Sequence, residues 1–381
     1  MDFALSDAQH AVRTGAETFA RDHLDEDWVD HDRSGRFPRD AWRRCATFGI
    51  QGAMVPASLG GRGMDVLSTV LMLEGLGYGC RDNGLPFALA SQMWSLQAAL
   101  MRFGDDAQKA RYLPRLCDGE SIGAFGITEL DSGSDTYALQ TRVEKTDGGY
   151  VLNGRKSYVT LAPVADMAIV FATRDPALGR WGISAFIVDN STPGFRTSDV
   201  VDKMGMRSCP MGELILEDCQ VPEHHRLGPE GAGASIFSTA MESERGYIFA
   251  CQLGAMQRQL EDAVEYARER KQFGQAIGRF QSVSNRLADM KLRLELSRML
   301  LYKAAWLDAS GHPSPIDAAL AKLQLSEAFV DSSLDNIRTH GARGFITEYE
   351  VERDLRDGIG GLIYSGTSDI QRNIIARLLG V

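Results

Sequence analysis

The six cysteines of this chain are scattered over 381 residues, and none forms a Cys-x-x-Cys pair. That argues against a disulfide framework and against a zinc site, so Cys45, Cys80, Cys117, Cys209, Cys219 and Cys251 are expected to be reduced, buried thiols. Basic residues are also short: 41 Lys and Arg face 51 Asp and Glu, a formal charge of −10. Phosphate binding needs a cationic excess, so neither a nucleic-acid surface nor docking to an anionic membrane is expected. No apolar run approaches the ~18 residues a membrane-spanning helix needs. The start, MDFALSDAQHAVR, lacks a basic segment followed by an apolar core and does not read as a secretory signal, which makes a cytoplasmic protein the expectation. Internal repeats and low-complexity tracts are missing too. His224 and His225 are adjacent and should point apart, and no histidine spacing suggests metal catalysis.

What remains is the ordinary mix of a globular protein, 44% hydrophobic and 24% charged. Its character changes twice along the chain. Residues 1–120 read as helical, with DAQHAVRTGAETFARDHL and VLSTVLMLEGLGYG placing apolar residues at three- and four-residue intervals. Gly60, Gly61 and Gly63 in PASLGGRGMD would break any helix there. Residues 121–228 show short β-rich runs (GYVLNGRKSYVTL, MAIVFATR, GISAFIV, GELILEDCQVP), as expected of an antiparallel sheet or barrel. Over 229–381 the helical period returns in stretches long enough for a four-helix bundle, and Ser314-Pro315 fits a helix start. An α+β chain of three segments is the expectation.

Taken singly, the candidate chemical residues have bland readings. The loop GITELDSGSD can present hydroxyls and backbone N–H groups to a phosphate, or be an ordinary turn. Arg270 and Lys271 suit the negative end of a helix dipole. In GLIYSGTSDIQR, Gly366 and Thr367 precede a helical segment for which Ser368 or Asp369 would serve as N-cap. Glu244 in AMESERGYIF could be a solvated ion-pair partner of Arg245. Tyr247, Ile248 and Cys251 nevertheless place it near a buried stripe, whereas Glu242 should face elsewhere.

In combination the fragments carry more. PASLGGRGMD, GITELDSGSD, NGRKSYVTLAPVAD, KMGMRS, LEDCQVP, ARERKQFGQAIGRFQ, HGARGFITEYEVERDLRD and IYSGTSDIQRNIIAR occur in this order, and together they resemble the acyl-CoA dehydrogenase family along essentially the whole chain. The resemblance implies an N-terminal helical domain, a middle antiparallel β domain and a C-terminal four-helix bundle. It also implies a homotetramer with FAD at the junction of domains and subunits. By matching motif, Ile127 and Thr128 would touch the flavin, Ser134 the pyrophosphate or substrate, and Tyr158 and Thr160 would flank the isoalloxazine. Arg270, Phe273 and Gln281 would reach the neighbouring subunit's FAD, with Arg338, Gly341, Thr367 and Asp369 also on the cofactor. Tyr158 stands where the family commonly has Trp, Arg338 where it often has Gln, and Leu130 where it commonly has Pro.

One departure bears on catalysis. Many members carry the catalytic Glu in Tyr-Glu-Gly-Thr; here Ser365 fills that slot before Gly366, and serine cannot act as a carboxylate base. A branch resembling isovaleryl-CoA dehydrogenase bears the base on an earlier helix, where this chain has Met241-Glu242-Ser243-Glu244-Arg245. Glu244 is therefore the expected base, and the backbone N–H of Ser365 would still help hold the thioester oxygen. SGTSDIQ, EGAGASIF and the AIGRFQ…AAW stretch are particularly similar to dehydrogenases that oxidise prolyl or related groups on a peptidyl carrier protein. Trp94 would line the acyl end of the pocket, or pack as an ordinary helix residue. The electron acceptor would be an electron-transfer flavoprotein or oxygen. Three rival readings are a short branched-chain acyl-CoA dehydrogenase, an oxygen-using oxidase or hydroxylase on the same fold, and a flavin-free binding protein.

Overall fold

The computed structural model describes residues 4–24 and 27–381; the first three residues of the 1–120 segment, with Asp25 and Glu26, lie outside it. Helices open wherever the chain supplies a cap. Ser6 and Gln9 form a reciprocal capping box ahead of α1 (Asp7–His23). Short helices α2 (Trp28–Ser34) and α3 (Arg39–Phe48) follow. In the glycine-rich turn after them a Cβ on Gly61 would sit 2.0 Å from the Val55 carbonyl oxygen, so only glycine fits. Asp65 caps α4 (Val66–Gly79), which is apolar around most of its circumference and lies between α1 and a later helix. Next come α5 (Gly84–Ser91), a π-helical turn at Gln92–Gln97, α6 (Ala98–Phe103) and α7 (Asp106–Cys117).

The β segment comprises β1 (Gly123–Gly126), β2 (Arg142–Thr146), β3 (Gly149–Thr160), β4 (Met167–Thr173), β5 (Ile183–Asp189), β6 (Phe195–Thr197), β7 (Met211–Pro222) and β8 (Arg226–Leu227). Strand order is β6-β7-β3-β2-β4-β5-β8, with β1 also on β4. The sheet is mixed, against the all-antiparallel expectation: β1 and β2 run parallel to β4. β1 arrives from α7 without a hairpin, so nothing obliges it to reverse against its neighbour. The order is also open, ending at β6 and β8, and does not close as a barrel would. On β4 the two side-chain faces enter different cores. Met167, Ile169 and Phe171 pack with α6, α7 and the next helix, while Ala168, Val170 and Ala172 pack with β3, β5 and β7.

Helix α8 (Gly233–Tyr247) ends sooner than the apolar period suggests. What reads as one long helix is broken at Ile248–Phe249, and α9 (Ala250–Glu269) starts afresh. Gly246, a weak helix former, precedes the break, and the Phe249 ring turns inward to stack on Tyr364. A hairpin of β9 (Lys271–Gln272) and β10 (Gln275–Ala276) leads to α10 (Gln281–Ala309). Ser314 and Pro315 start α11 (Pro315–His340) as expected. α8 to α11 form the four-helix bundle, followed by α12 (Ala342–Phe345), α13 (Arg353–Ile359) and α14 (Ser368–Leu379), which lies on α11. Thr367 caps α14, ahead of the expected Ser368 or Asp369. A single core joins α1, α3, α4 and α5 to the bundle. Among the described residues no helix is long and apolar enough to cross a membrane.

Candidate active site

Glu244 sits in the last turn of α8, where its side chain is buried while Glu242 is exposed. Both carboxylate oxygens are held. Ser365 Oγ donates to Oε1 at 2.5 Å, and Ser95 Oγ, from the π-helical turn, donates to Oε2. Burial pushes the carboxyl pKa up from its ordinary value, opposed by the Ser365 and Ser95 hydroxyls and by the Arg245 charge. A carboxylate in this condition is suited to taking a proton near neutral pH. Glu244 is therefore no solvated ion-pair residue.

The neighbours form a wall of large side chains. Trp94 is buried beside Ser95, with its ring 4.8 Å from that of Tyr247, three residues past Glu244. Tyr364 packs on Phe87 and Phe249 just before Ser365. Ser365 itself adopts the left-handed region, φ +55°, followed by Gly366 at φ +83°. Among the described residues no acceptor is assigned to the Ser365 backbone N–H. The turn thus combines an available N–H with a hydroxyl aimed at Glu244. Sequence reasoning credited Ser365 only with its backbone; the side-chain contact to Glu244 was missed. It missed Ser95 as well, although Gln92, Ser95 and Gln97 in an otherwise apolar helical run were a visible sign of buried polar work.

The other candidate residues fall into two groups. Ile127 (buried), Thr128 (half-buried) and exposed Ser134 lie on the loop after β1, and Tyr158 and Thr160 lie at the end of β3. Ser157 N–H donates to the Thr128 carbonyl at 2.8 Å, which ties the two segments together. Tyr158 is 55% exposed and held at φ +58°, presenting its ring outward. At the far end of the bundle are Arg270 after α9, Phe273 in the β9–β10 turn, Gln281 opening α10, and Arg338 and Gly341 closing α11. The Tyr266 ring, stacked on His340 with centroids 4.2 Å apart, joins the ends of α9 and α11. All five residues are exposed, Phe273 at 94%. No contact links this group to Glu244 within the chain among the described residues. Asp369 is exposed and pairs with Arg372 at 3.3 Å, while Thr367 is occupied as the α14 cap. Among the described residues no cluster of His, Cys, Asp or Glu could hold a metal, and all six cysteines are buried and free.

Whether these residues suit FAD is a question of donor chemistry. Around Thr128, Ser134, Tyr158 and Thr160 the side chains are hydroxyls and one outward-facing aromatic ring, which suits an uncharged, flat, hydrogen-bonding ring system. Of the acids in that loop, Glu129 is neutralised by Lys156 Nζ at 2.7 Å, while Asp131 and Asp135 are exposed to solvent. A Cβ on Gly133 or Gly341 would meet nothing within 4 Å, so both loops have open space before them. Arg270 and Arg338 supply guanidinium groups at the bundle end, the residue type best matched to phosphate oxygens. The donor set fits the cofactor.

Similarity decides the family. The chain matches the family models for the acyl-CoA dehydrogenase N-terminal domain over residues 6–120, the middle domain over 124–219 and the C-terminal domain over 231–380. It belongs to the acyl-CoA dehydrogenase family. Membership makes it an FAD-dependent dehydrogenase of acyl thioesters. It is 42% identical over 380 residues to an L-prolyl-[peptidyl-carrier protein] dehydrogenase of Pseudomonas fluorescens, covering 100% of both chains. Its fold is similar to the crystal structure of the prolyl acyl carrier protein oxidase AnaB, with a TM-score of 0.98, 46% identity and coverage of 99% of this chain and 100% of that one. A similar match is to PigA with FAD and proline, at TM-score 0.97 and 41% identity over 100% of this chain and 99% of that one.

Proposed function

We propose that this acyl-CoA dehydrogenase oxidises a prolyl or related cyclic aminoacyl group carried as a thioester on a peptidyl carrier protein, with Glu244 as the base. The observation that carries the mechanism is the buried Glu244 carboxylate, gripped on both oxygens, beside a turn whose Ser365 N–H is free to bind a thioester oxygen. An α-hydrogen of a thioester is weakly acidic, and a donor aimed at the developing enolate oxygen lowers the barrier. As the α C–H bond breaks, Glu244 receives the proton on a carboxylate oxygen. FAD, when bound, supplies the acceptor for the hydride leaving the β-carbon. Thr128, Tyr158 and Thr160 would hold the flavin ring; Arg270, Phe273, Gln281, Arg338 and Gly341 would serve the cofactor of a neighbouring subunit, with Ser134, Gly366, Thr367 and Asp369 completing the rims.

The preference for a carrier-bound prolyl group rests on the resemblance to the prolyl-specific relatives and on the bulk of Trp94, Tyr247 and Tyr364 around the base, which suits a short or cyclic acyl group. Mixing the purified enzyme anaerobically with prolyl-loaded carrier protein should bleach the flavin absorbance rapidly, and isovaleryl-CoA should not. Bleaching by the free CoA ester alone would replace this reading with the branched-chain one.

A homo-oligomer is part of the proposal. Leu292, Leu296, Met299 and Trp306, 48–58% exposed, recur at four-, three- and seven-residue intervals along one face of α10. They give α10 an apolar outer stripe. Leu296→Lys combined with Trp306→Ser is expected to lower the mass seen by light scattering to that of a smaller assembly and to weaken FAD retention. An unchanged mass would remove this face from the assembly. The segment boundaries proposed, 120/121 and 228/229, fall in the short connections between α7 and β1 and between β8 and α8.

A further inference from the structure

Ser95 has no assigned role, yet its surroundings are unusual. It lies in the Gln92–Gln97 turn, where backbone bonding passes from i→i+4 to i→i+5, as in Ala98 N–H to the Met93 carbonyl. Such a turn inserts a residue and rotates the side chains that follow, and it occurs mainly where a particular residue must be aimed. Each polar side chain of the turn meets a different element. Gln92 Oε1 accepts from Gly123 N–H at 2.8 Å, at the start of β1. Gln97 Nε2 donates to the Gln51 carbonyl at 3.0 Å. Ser95 donates to Glu244 Oε2 and is 1% exposed.

We propose that Ser95 is a positioning residue for Glu244, fixing together with Ser365 the plane of the carboxylate that takes the α-proton. This rests on Glu244 being the base. A carboxylate anchored through one oxygen can still swivel about its terminal bond. Anchors on both oxygens, from two separate segments, leave a single orientation for the remaining lone pairs. When the α C–H bond breaks and an O–H bond forms on Glu244, the oxygen receiving the proton becomes a poor acceptor. A serine hydroxyl can then rotate and accept in its turn, so the clamp persists in both protonation states. Lysine or arginine in its place could donate only. The ionisable groups facing Glu244 are Arg245 on α8 and Tyr364 before α14, with Glu242 of α8, Arg377 of α14, Tyr137 and Lys322 of α11 acting on Arg245. The π-helical turn carries no ionisable group, and its contact to Glu244 is Ser95.

The test is anaerobic stopped-flow flavin reduction by prolyl-loaded carrier protein across pH, in wild type, Ser95→Ala, Ser95→Thr and Glu244→Gln, with FAD content and flavin spectrum recorded for each. Loss of a hydroxyl that favours the ionised carboxylate should move the acid limb of the rate profile of Ser95→Ala up by roughly one pH unit. The high-pH plateau should fall by about tenfold as the carboxylate loses its fixed plane. Ser95→Thr, which keeps the hydroxyl, should restore both. If Ser95→Ala loses FAD, Ser95→Cys, nearly isosteric with a weak donor, carries the same comparison. An acid limb and plateau equal to wild type in Ser95→Ala, with Glu244→Gln inactive, would overturn the role of Ser95 alone. A Glu244→Gln variant as fast as wild type would overturn the base assignment itself.

Discussion

Glu244→Gln is expected to fold and keep its FAD while losing a factor on the order of 10²–10⁴ in the rate of flavin reduction. The amide matches the carboxylate in shape and still offers one oxygen, so Ser365 or Ser95 can keep a bond on that side. What disappears is the capacity to take a proton. The loss should therefore appear in the limiting rate at saturating substrate and not in the substrate concentration needed for half saturation, because the interaction removed exists only along the path to the transition state. Ser365→Ala gives the contrast. It keeps the backbone N–H and the acid and removes one of two hydroxyl anchors, so a reduction of about tenfold or less is expected. If the two variants fell equally, the hydroxyl and the acid would be acting as one unit. A Glu244→Gln rate within a few-fold of wild type would place the base elsewhere.

Part of the fold was legible from sequence. The three-part organisation follows from apolar periodicity that changes near Ser121 and again after Gly228, and the proposal of Glu244 as base starts from a motif resemblance in which the serine at position 365 and the acid at 244 are complementary. Other features could not be read. The direction of β1 depends on which strand it meets after a long excursion, and short apolar runs carry no sign of direction. The break after Tyr247 is invisible to periodicity because Ile248 and Phe249 continue the apolar pattern while their side chains turn toward Tyr364. Ser95 was hidden for a related reason: at α-helical spacing the residue would be aimed differently, and only the added residue of the π-helical turn carries it to Glu244. Residues proposed for the cofactor, such as Arg270 and Phe273, cannot be grouped with the acid from one chain, since they sit exposed at the opposite end of the bundle.

The second large effect concerns stability. Lys156 is fully enclosed and its Nζ meets Glu129 Oε1 at 2.7 Å; Glu129 also accepts from Gln140 N–H, Thr141 N–H and the Thr141 hydroxyl. Burial pulls the lysine pKa down to about 8 against the attraction of Glu129. For Glu129 burial works upward, but Lys156 and the hydrogen bonds outweigh it and hold the carboxyl below its ordinary value. Glu129→Ala strands an enclosed ammonium and frees two backbone N–H groups, a change that costs about 3–5 kcal/mol for a broken buried pair. Because Glu129 and Lys156 directly follow Thr128 and precede Ser157-Tyr158, FAD retention should fall in step. The pH dependence has a definite sign. A folded-state lysine pKa below the unfolded one means the unfolded chain binds more protons between the two values, so stability rises with pH across that window. In Glu129→Ala the folded value drops further, and the melting deficit relative to neutral pH should shrink as pH climbs towards 10. On the acid side, the depressed Glu129 pKa gives wild type a stability increment that is lost as pH falls below about 4.5. Adding Lys156→Met to Glu129→Gln removes both charges while keeping an acceptor for residues 140 and 141, and should recover part of the loss. Melting curves of Glu129→Ala that were as depressed at pH 9.5 as at pH 7 would show that the lost acceptor, and not the stranded lysine, sets the cost.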